Sequence, residues 1–345
     1  MKPRIRTLYA GLVAGNLAAW VWAVVVFRHY PVLLGTALVA YSLGLRHAVD
    51  ADHIAAIDNV TRKLMQERQQ PVTVGMWFSL GHSTVVFIGA GAIAGATLAL
   101  QGRIGELQVI GGVVGTSLSA LFLFAIAVVN LMVWHSVHRA FRRVRAGGSY
   151  QEEDVSLLTA GGGILARLFR PMFGMIRSSL GMYPLGLLFG LGFDTATEIG
   201  LLGIAAAEAA KGLSLTAVLV FPALFTAGMA LVDSSDGVLM VGAYGWAFAK
   251  PVRKLFYNLT ITAISALVAL AVGGVEALGL FGNEMHLGGR FWAALGTINQ
   301  HFGTVGYAII GLFVVSWLIA IAIYKWQRLD TAGPLDNSPS PRAIL

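Results

Sequence analysis

Long apolar runs separated by short polar segments make up most of the chain. A membrane-spanning helix needs about 20 mostly apolar residues, and eight stretches meet that requirement. They cover about residues 8–27, 32–58, 73–99, 108–134, 182–208, 213–236, 255–280 and 303–325. The pattern predicts an all-α, polytopic membrane protein with about eight transmembrane helices.

Lysine and arginine are distributed unequally between the two sets of loops. If both termini are cytoplasmic, the basic residues of the outside segments are only Arg28, Arg103, Lys211 and Arg290. Arg46 falls within a span, and every other lysine and arginine falls in a cytoplasmic segment. Because basic loops remain on the cytoplasmic side, we predict a multi-pass protein of the cytoplasmic (inner) membrane with both termini in the cytoplasm.

The composition supports this class and narrows the chemistry. Hydrophobic residues make up 57% of the chain, charged residues 12%, and the mean hydropathy is +0.73. The net charge of +7 is explained by the cytoplasmic loops, so it gives no reason to expect a nucleic-acid partner. The sequence contains no phosphate-binding loop motif, so we expect no nucleotide partner. With no cysteine in the sequence, protein ligands to a metal would be nitrogen and oxygen atoms.

The predicted spans form two groups of four. Residues 1–134 form an N-terminal half and residues 181–330 a C-terminal half. Residues 135–180 contain a basic run and Gly161-Gly162-Gly163, which predict a flexible cytoplasmic linker. Residues 331–345 are rich in proline and predict a disordered tail.

Ionisable residues are concentrated in the second span. Such residues are costly inside a membrane, so each is a functional-site hypothesis. The cluster consists of Arg46, His47, Asp50, Asp52 and His53. On a regular helix, His47, Asp50 and His53 share one broad face and could offer two imidazoles and a carboxylate. Asp52 points away on such a helix, so it requires either a distorted helix or a supporting role behind the ligands.

Three other spans add ionisable residues at helical spacing. The third contains His82, the fifth Asp194 and Glu198, and the sixth Asp233 and Asp236. Because imidazole suits late first-row metals, we predict a metal site formed by His47, Asp50, Asp52, His53 and His82. We predict a transport pathway along Asp194, Glu198, Asp233, Asp236, Arg46 and Asp58.

Structural roles are the alternatives for several of these residues. Arg46 could neutralise Asp50 or Asp194 without contacting a metal. Asp58, Asp233 and Asp236 lie near span ends, where a solvated helix terminus or a polar network between helices would also explain them. His82 alone could be a packed histidine, and the cluster of the second span could be a satisfied buried polar network.

The two halves resemble each other. Leu43-Gly44-Leu45 matches Leu191-Gly192-Phe193, and Phe78-x-x-Gly81 matches Phe225-x-x-Gly228, at nearly the same separation along the chain. In this register Asp50 falls opposite Glu198 and Arg46 opposite Asp194. Because the matched spans cross the membrane in opposite directions, the pattern predicts an inverted repeat of two four-helix halves, which is common in secondary transporters.

Residues 46–54 resemble the His-x4-Asp-His signature in the second helix of the nickel/cobalt transporter family. Residues 78–86, 191–198 and 228–236 resemble three further motifs of that family, and Ser234 stands where the fourth motif usually has threonine. The resemblance implies an eight-helix uptake permease for Ni²⁺ and/or Co²⁺ in the cytoplasmic membrane. It also implies that the histidines and aspartate of the second helix are central to metal recognition, and that the metal is a transported substrate, so no cofactor is expected.

Our hypothesis is therefore a permease that binds a divalent transition-metal ion at the His/Asp cluster and passes it along carboxylates of the second half. An inside-negative potential could drive the uptake. The alternatives are an intramembrane metalloenzyme, which would hold its metal in place, and a metal-ion exporter. A homo-oligomer is compatible with the sequence.

Overall fold

The computed structural model describes most of the helical part of the chain. The described residues are 2–95, 113, 116–117, 119–128, 130–132, 134–135, 138–139, 142, 176–191, 196–247 and 251–326. Asp194, most of the predicted linker at 135–180 and the whole predicted tail at 331–345 lie outside these residues.

Helices account for nearly all of the described secondary structure, and these residues contain no β-strand. The helices are α1 (Lys2–Phe27), α2 (Pro31–His47), α3 (Ala51–Gln66), α4 (Val74–Gly95), α5 (Met182–Gly190), α6 (Ala196–Ala210), α7 (Leu215–Val218), α8 (Val220–Ala247), α9 (Pro251–Glu284), α10 (Arg290–Gln300) and α11 (Phe302–Trp326). A 3-10 turn at Ser179–Gly181 precedes α5, and the described residues between 113 and 142 are also helical.

The membrane-protein class is confirmed. The described residues contain four helices long and apolar enough to cross a membrane, or up to six if the bent pairs α2–α3 and α10–α11 each form one span. The predicted fourth span lies partly outside these residues. The predicted fifth span corresponds to two shorter apolar helices, α5 and α6. The total of eight spans stays a prediction.

The second span is broken in the middle. The structure shows the distorted helix that the sequence left open for residues 46–53, because α2 ends at His47 and α3 begins at Ala51 with a bend of 52° between them. Asp50 has extended backbone angles (φ −65°, ψ 146°), which interrupt the helical hydrogen bonding. Gly306 of α11 lies directly against the Val49 carbonyl in the break, where a side chain would collide.

Close helix contacts through glycine hold α2 against α8. The Phe225 carbonyl lies where a Cβ of Gly44 would be, and the Tyr41 carbonyl faces Gly228 in the same way. Glycine at these positions lets the two backbones touch, as in many membrane helix pairs. The α2 and α8 helices therefore cross through a reciprocal pair of glycine contacts.

The same arrangement joins α4 to α5. Gly81 lies against the Tyr183 carbonyl, and Gly186 lies against the Phe78 carbonyl. Each crossing thus pairs a Tyr-x-x-Gly segment with a Phe-x-x-Gly segment. These contacts favour matching Tyr41-Ser42-Leu43-Gly44-Leu45 with Tyr183-Pro184-Leu185-Gly186-Leu187 instead of the register that pairs Gly44 with Gly192, so that Asp52, and not Arg46, falls opposite Asp194.

The α8 helix occupies a central position, since it packs against α1, α2, α3 and α4. The α6 helix packs against α2 and α4. The end of α2, the start of α3, and the middle of α4 and α8 consequently meet beside α6. Most of the ionisable residues predicted to be functional are brought together there.

Candidate metal site

Three buried histidines converge where the second span is broken. His47 lies in the last turn of α2, His53 in the first turn of α3, and His82 on α4. One ring nitrogen from each side chain lies within 4.8 Å of those of the other two. All three side chains are almost completely excluded from solvent. The structure thus brings together the three histidines that the sequence predicted as ligands.

Carboxylates hold two of these rings from behind. The Nδ1 atom of His47 is 3.0 Å from Oδ2 of Asp50, and Nδ1 of His53 is 3.3 Å from both carboxylate oxygens of Asp233. When Nδ1–H donates to a carboxylate, Nε2 retains the lone pair that can bind a metal. Asp50 and Asp233 therefore orient His47 and His53 for coordination through Nε2.

Glu198 and His82 complete the centre of the cluster. The Nε2 atom of His82 is 2.8 Å from Oε1 of Glu198 and 2.9 Å from Nε2 of His47. Two imidazole nitrogens at that distance need a proton or a cation between them, because each lone pair repels the other. Nitrogen ligands bound at about 2.1 Å to one metal ion would lie roughly 3 Å apart at a right angle. The 2.9 Å between His47 and His82 fits the spacing of two ligands around a single ion.

The third histidine has a nitrogen available for coordination. The Nε2 atom of His53 has no hydrogen-bond partner in the described part of the chain, although it is buried. Its ring lies 4.6 Å from that of His47 and 4.9 Å from that of His82, measured between centroids. A buried nitrogen without a partner is costly, and a metal ion at the centre of the cluster would satisfy it.

Two residues with hydroxyl groups, neither of them predicted from the sequence, also belong to the site. Ser79 donates a 2.6 Å hydrogen bond to Oδ2 of Asp233, and the Thr197 hydroxyl is 3.0 Å from Nδ1 of His47. Both lie inside the motif segments at 78–86 and 191–198. Their positions could have pointed to them, because Ser79 lies about one helical turn before His82 and Thr197 directly precedes Glu198. Phe78 and Phe225 form apolar walls, packing against the rings of His53 and His47, respectively.

The remaining residues of the predicted cluster lie around this centre. Asp52 is only half-buried, and its charge acts on His82. Arg46 is exposed, and its charge acts on Asp50. Asp194 lies outside the described residues.

A second buried polar network contains Asp58. Its carboxylate accepts hydrogen bonds from Tyr244 and from Ser265, the latter at 2.8 Å. Arg62, which the sequence analysis assigned to a cytoplasmic loop, is 2% exposed and donates to Thr262 and Asn59. Asp58 thus takes part in a buried network between helices.

Comparisons with known proteins agree on one class. Residues 33–323 match the family model of the high-affinity nickel-transport protein, NicO. A high-affinity nickel transport protein of Cupriavidus necator is 58% identical over 329 residues, which cover 95% of this chain and 94% of that protein. The hydrogenase nickel incorporation protein HupN of Bradyrhizobium diazoefficiens is 52% identical, with 96% and 86% covered. The cobalt transport protein NhlF of Rhodococcus rhodochrous is 40% identical, with 84% and 82% covered. No solved structure matches the chain.

Proposed function

Since the chain belongs to the high-affinity nickel-transport protein family, we propose that this permease imports Ni²⁺ and/or Co²⁺ across the cytoplasmic membrane and binds the ion at His47, His53 and His82. The metal is the transported substrate and not a cofactor. The family and the relatives are transporters, which sets aside the metalloenzyme alternative.

The observation that carries the proposal is the convergence of three buried imidazoles, two of them held through Nδ1 by a carboxylate. Imidazole ligands favour nickel, cobalt, copper and zinc over magnesium and calcium, which prefer oxygen. A buried site also requires the ion to lose water, which favours ligands that bind strongly. The donor set therefore supports selection of a late first-row dication against the more abundant hard cations.

The carboxylates supply charge around the three histidines. Asp50, Asp233 and Glu198 each contact one of the three rings, so a dication would be bound among neutral imidazoles and anionic neighbours. Asp52, which is half-buried, would guide the ion to His82. We place Asp58, Asp194, Asp236 and Arg46 along the pathway, as the sequence predicted.

The location of the cluster between the two halves supports alternating access. The histidines come from residues 1–134, whereas Glu198 and Asp233 come from residues 181–330. Transporters with inverted repeats bind their substrate between the repeats near the middle of the membrane. An inside-negative potential contributes about 2.3 kcal/mol per charge per 100 mV, so a dication would gain roughly twice that on entry.

Uptake of radioactive Ni²⁺ by cells and by sealed right-side-out vesicles tests this proposal. We expect His53→Ala to reduce the initial rate at least tenfold at low metal concentration, because it removes a ligand. His301→Ala is the matched control, since its side chain is exposed and its Nδ1 lies 2.8 Å from the Thr297 carbonyl oxygen on the adjoining helix α10. Normal uptake by His53→Ala would disprove the site, and net efflux by the wild type would favour the exporter alternative.

A further inference from the structure

Asp236 on α8 is a buried carboxylate without a hydrogen-bond partner. Its residue is 9% exposed, and both carboxylate oxygens are out of contact with solvent and unpaired in the described part of the chain. Burial of an unpaired carboxylate is costly unless a proton or another cation neutralises it. Its charge must therefore be neutralised by a proton or by a cation, because the described protein groups do not provide a partner.

The charges around Asp236 point to a cation. Asp58 and Asp233 act on it, and both are carboxylates. Asp58 is fully buried and has Arg62 as its cationic neighbour. A positive ion between Asp236 and Asp58 would relieve the repulsion that the structure leaves between them.

The position of the two carboxylates places this pair beyond the histidines on the cytoplasmic side. Asp236 follows Asp233 by about one turn of α8, and Asp58 lies about 7.5 Å along α3 from His53 at the helical rise per residue. A Cβ on Gly237 would lie 3.7 Å from Ile57 Cγ2, so α8 contacts α3 at this level. Both helices run toward the cytoplasm in the predicted topology.

We propose that Asp236 and Asp58 form a second, oxygen-only site for the divalent cation, which receives the ion from the histidines and releases it to the cytoplasm. The inference rests on the proposed function. Carboxylates hold nickel and cobalt less strongly than imidazoles do. A release site must bind weakly enough for the ion to leave, and an exchange of nitrogen for oxygen ligands meets that condition.

Asp236→Asn separates the two sites because it keeps the side-chain volume and removes the charge. We expect the purified full-length protein to keep its tight binding of radioactive Ni²⁺ at the histidines, with an affinity changed less than threefold, and to lose the weaker binding at the second site, while uptake falls at least tenfold. Unchanged uptake would overturn the second site, and so would a parallel loss of the tight binding and uptake. Failure of the proposed function is distinguishable, because it would appear as normal binding and uptake in His53→Ala.

Mn²⁺ is a direct probe of the second site, because it prefers oxygen ligands and its free form is measured by electron paramagnetic resonance. We expect purified His53→Ala to retain bound Mn²⁺, and the double variant His53→Ala/Asp236→Asn to lose it. Glu208→Gln in the same background is the control and should retain Mn²⁺, since Glu208 pairs with Lys211 instead. Equal Mn²⁺ binding by His53→Ala and by His53→Ala/Asp236→Asn would overturn the proposal. If Asp236→Asn does not yield folded protein, Asp58→Asn is judged by the same criterion.

Discussion

His47 and His53 are oriented in the same way by carboxylates of very different origin. His47 uses Asp50, three residues away, whereas His53 uses Asp233 on another helix. The sequence placed Asp50 centrally among the ligands, but its carboxylate lies against Nδ1 of His47. A carboxylate in that position fixes the tautomer and raises the basicity of the imidazole. At the residue scale, the aspartates would therefore adjust how strongly the histidines bind the metal in the proposed site.

We expect Asp233→Asn to weaken Ni²⁺ binding by about 10–100-fold, because the charged acceptor behind His53 is lost. Isothermal titration of the purified protein measures the change. Glu208→Gln should leave the affinity unaltered, because its Oε1 is 2.8 Å from Nζ of Lys211 and it lies about 15 Å along α6 from Glu198. An unchanged affinity in Asp233→Asn would contradict the role of this carboxylate.

At the scale of elements, the site depends on one helix break and on close glycine contacts. The segment 48–50 contains neither glycine nor proline, the residues that usually mark a break. The break becomes intelligible only from the extended backbone of Asp50 and the approach of Gly306 to the Val49 carbonyl. Glycines at 44 and 228 then hold α2 against α8, which positions His47 next to the helix that carries Asp233.

Gly44→Ala should destabilise the protein, because the added Cβ would overlap the Phe225 carbonyl. Overpacking of this kind typically costs about 1–3 kcal/mol, so we expect a lower midpoint of thermal unfolding. Size-exclusion chromatography of heated samples in detergent measures that midpoint. Gly35→Ala is the control on the same helix, because nothing lies within 4 Å of its Cβ position. Equal midpoints for the two variants would show that the α2–α8 contact tolerates a larger residue.

At the scale of the whole molecule, the proposed metal site belongs to neither of the two predicted halves alone. Three imidazoles from the first half meet Glu198, Thr197 and Asp233 from the second. Movement of one half against the other would therefore change the ligand geometry and could expose the ion alternately to the two sides. The placement of the proposed release site on the cytoplasmic side requires the orientation that the basic loops predict.

The absence of cysteine allows a direct test of that orientation. Met285 and Gln70 are both exposed, and the predicted topology places Met285 outside and Gln70 in the cytoplasm. A membrane-impermeant maleimide should label Met285→Cys in intact cells but label Gln70→Cys only after permeabilisation. The cysteine-free wild type gives the background. The reverse labelling pattern would invert the topology and the proposed direction of release.

The sequence by itself determined the membrane class and predicted the three histidines and most of the carboxylates near them as site residues, because apolar length and ionisable residues at membrane depth are local properties of the chain. Only the tertiary structure decided that Asp233 faces His53, that Glu198 faces His82, and that Arg62 is buried. It also decided that the second span breaks at Asp50. Those features arise where helices far apart in sequence pack against one another. The periodicity of residues along the chain does not predict such contacts.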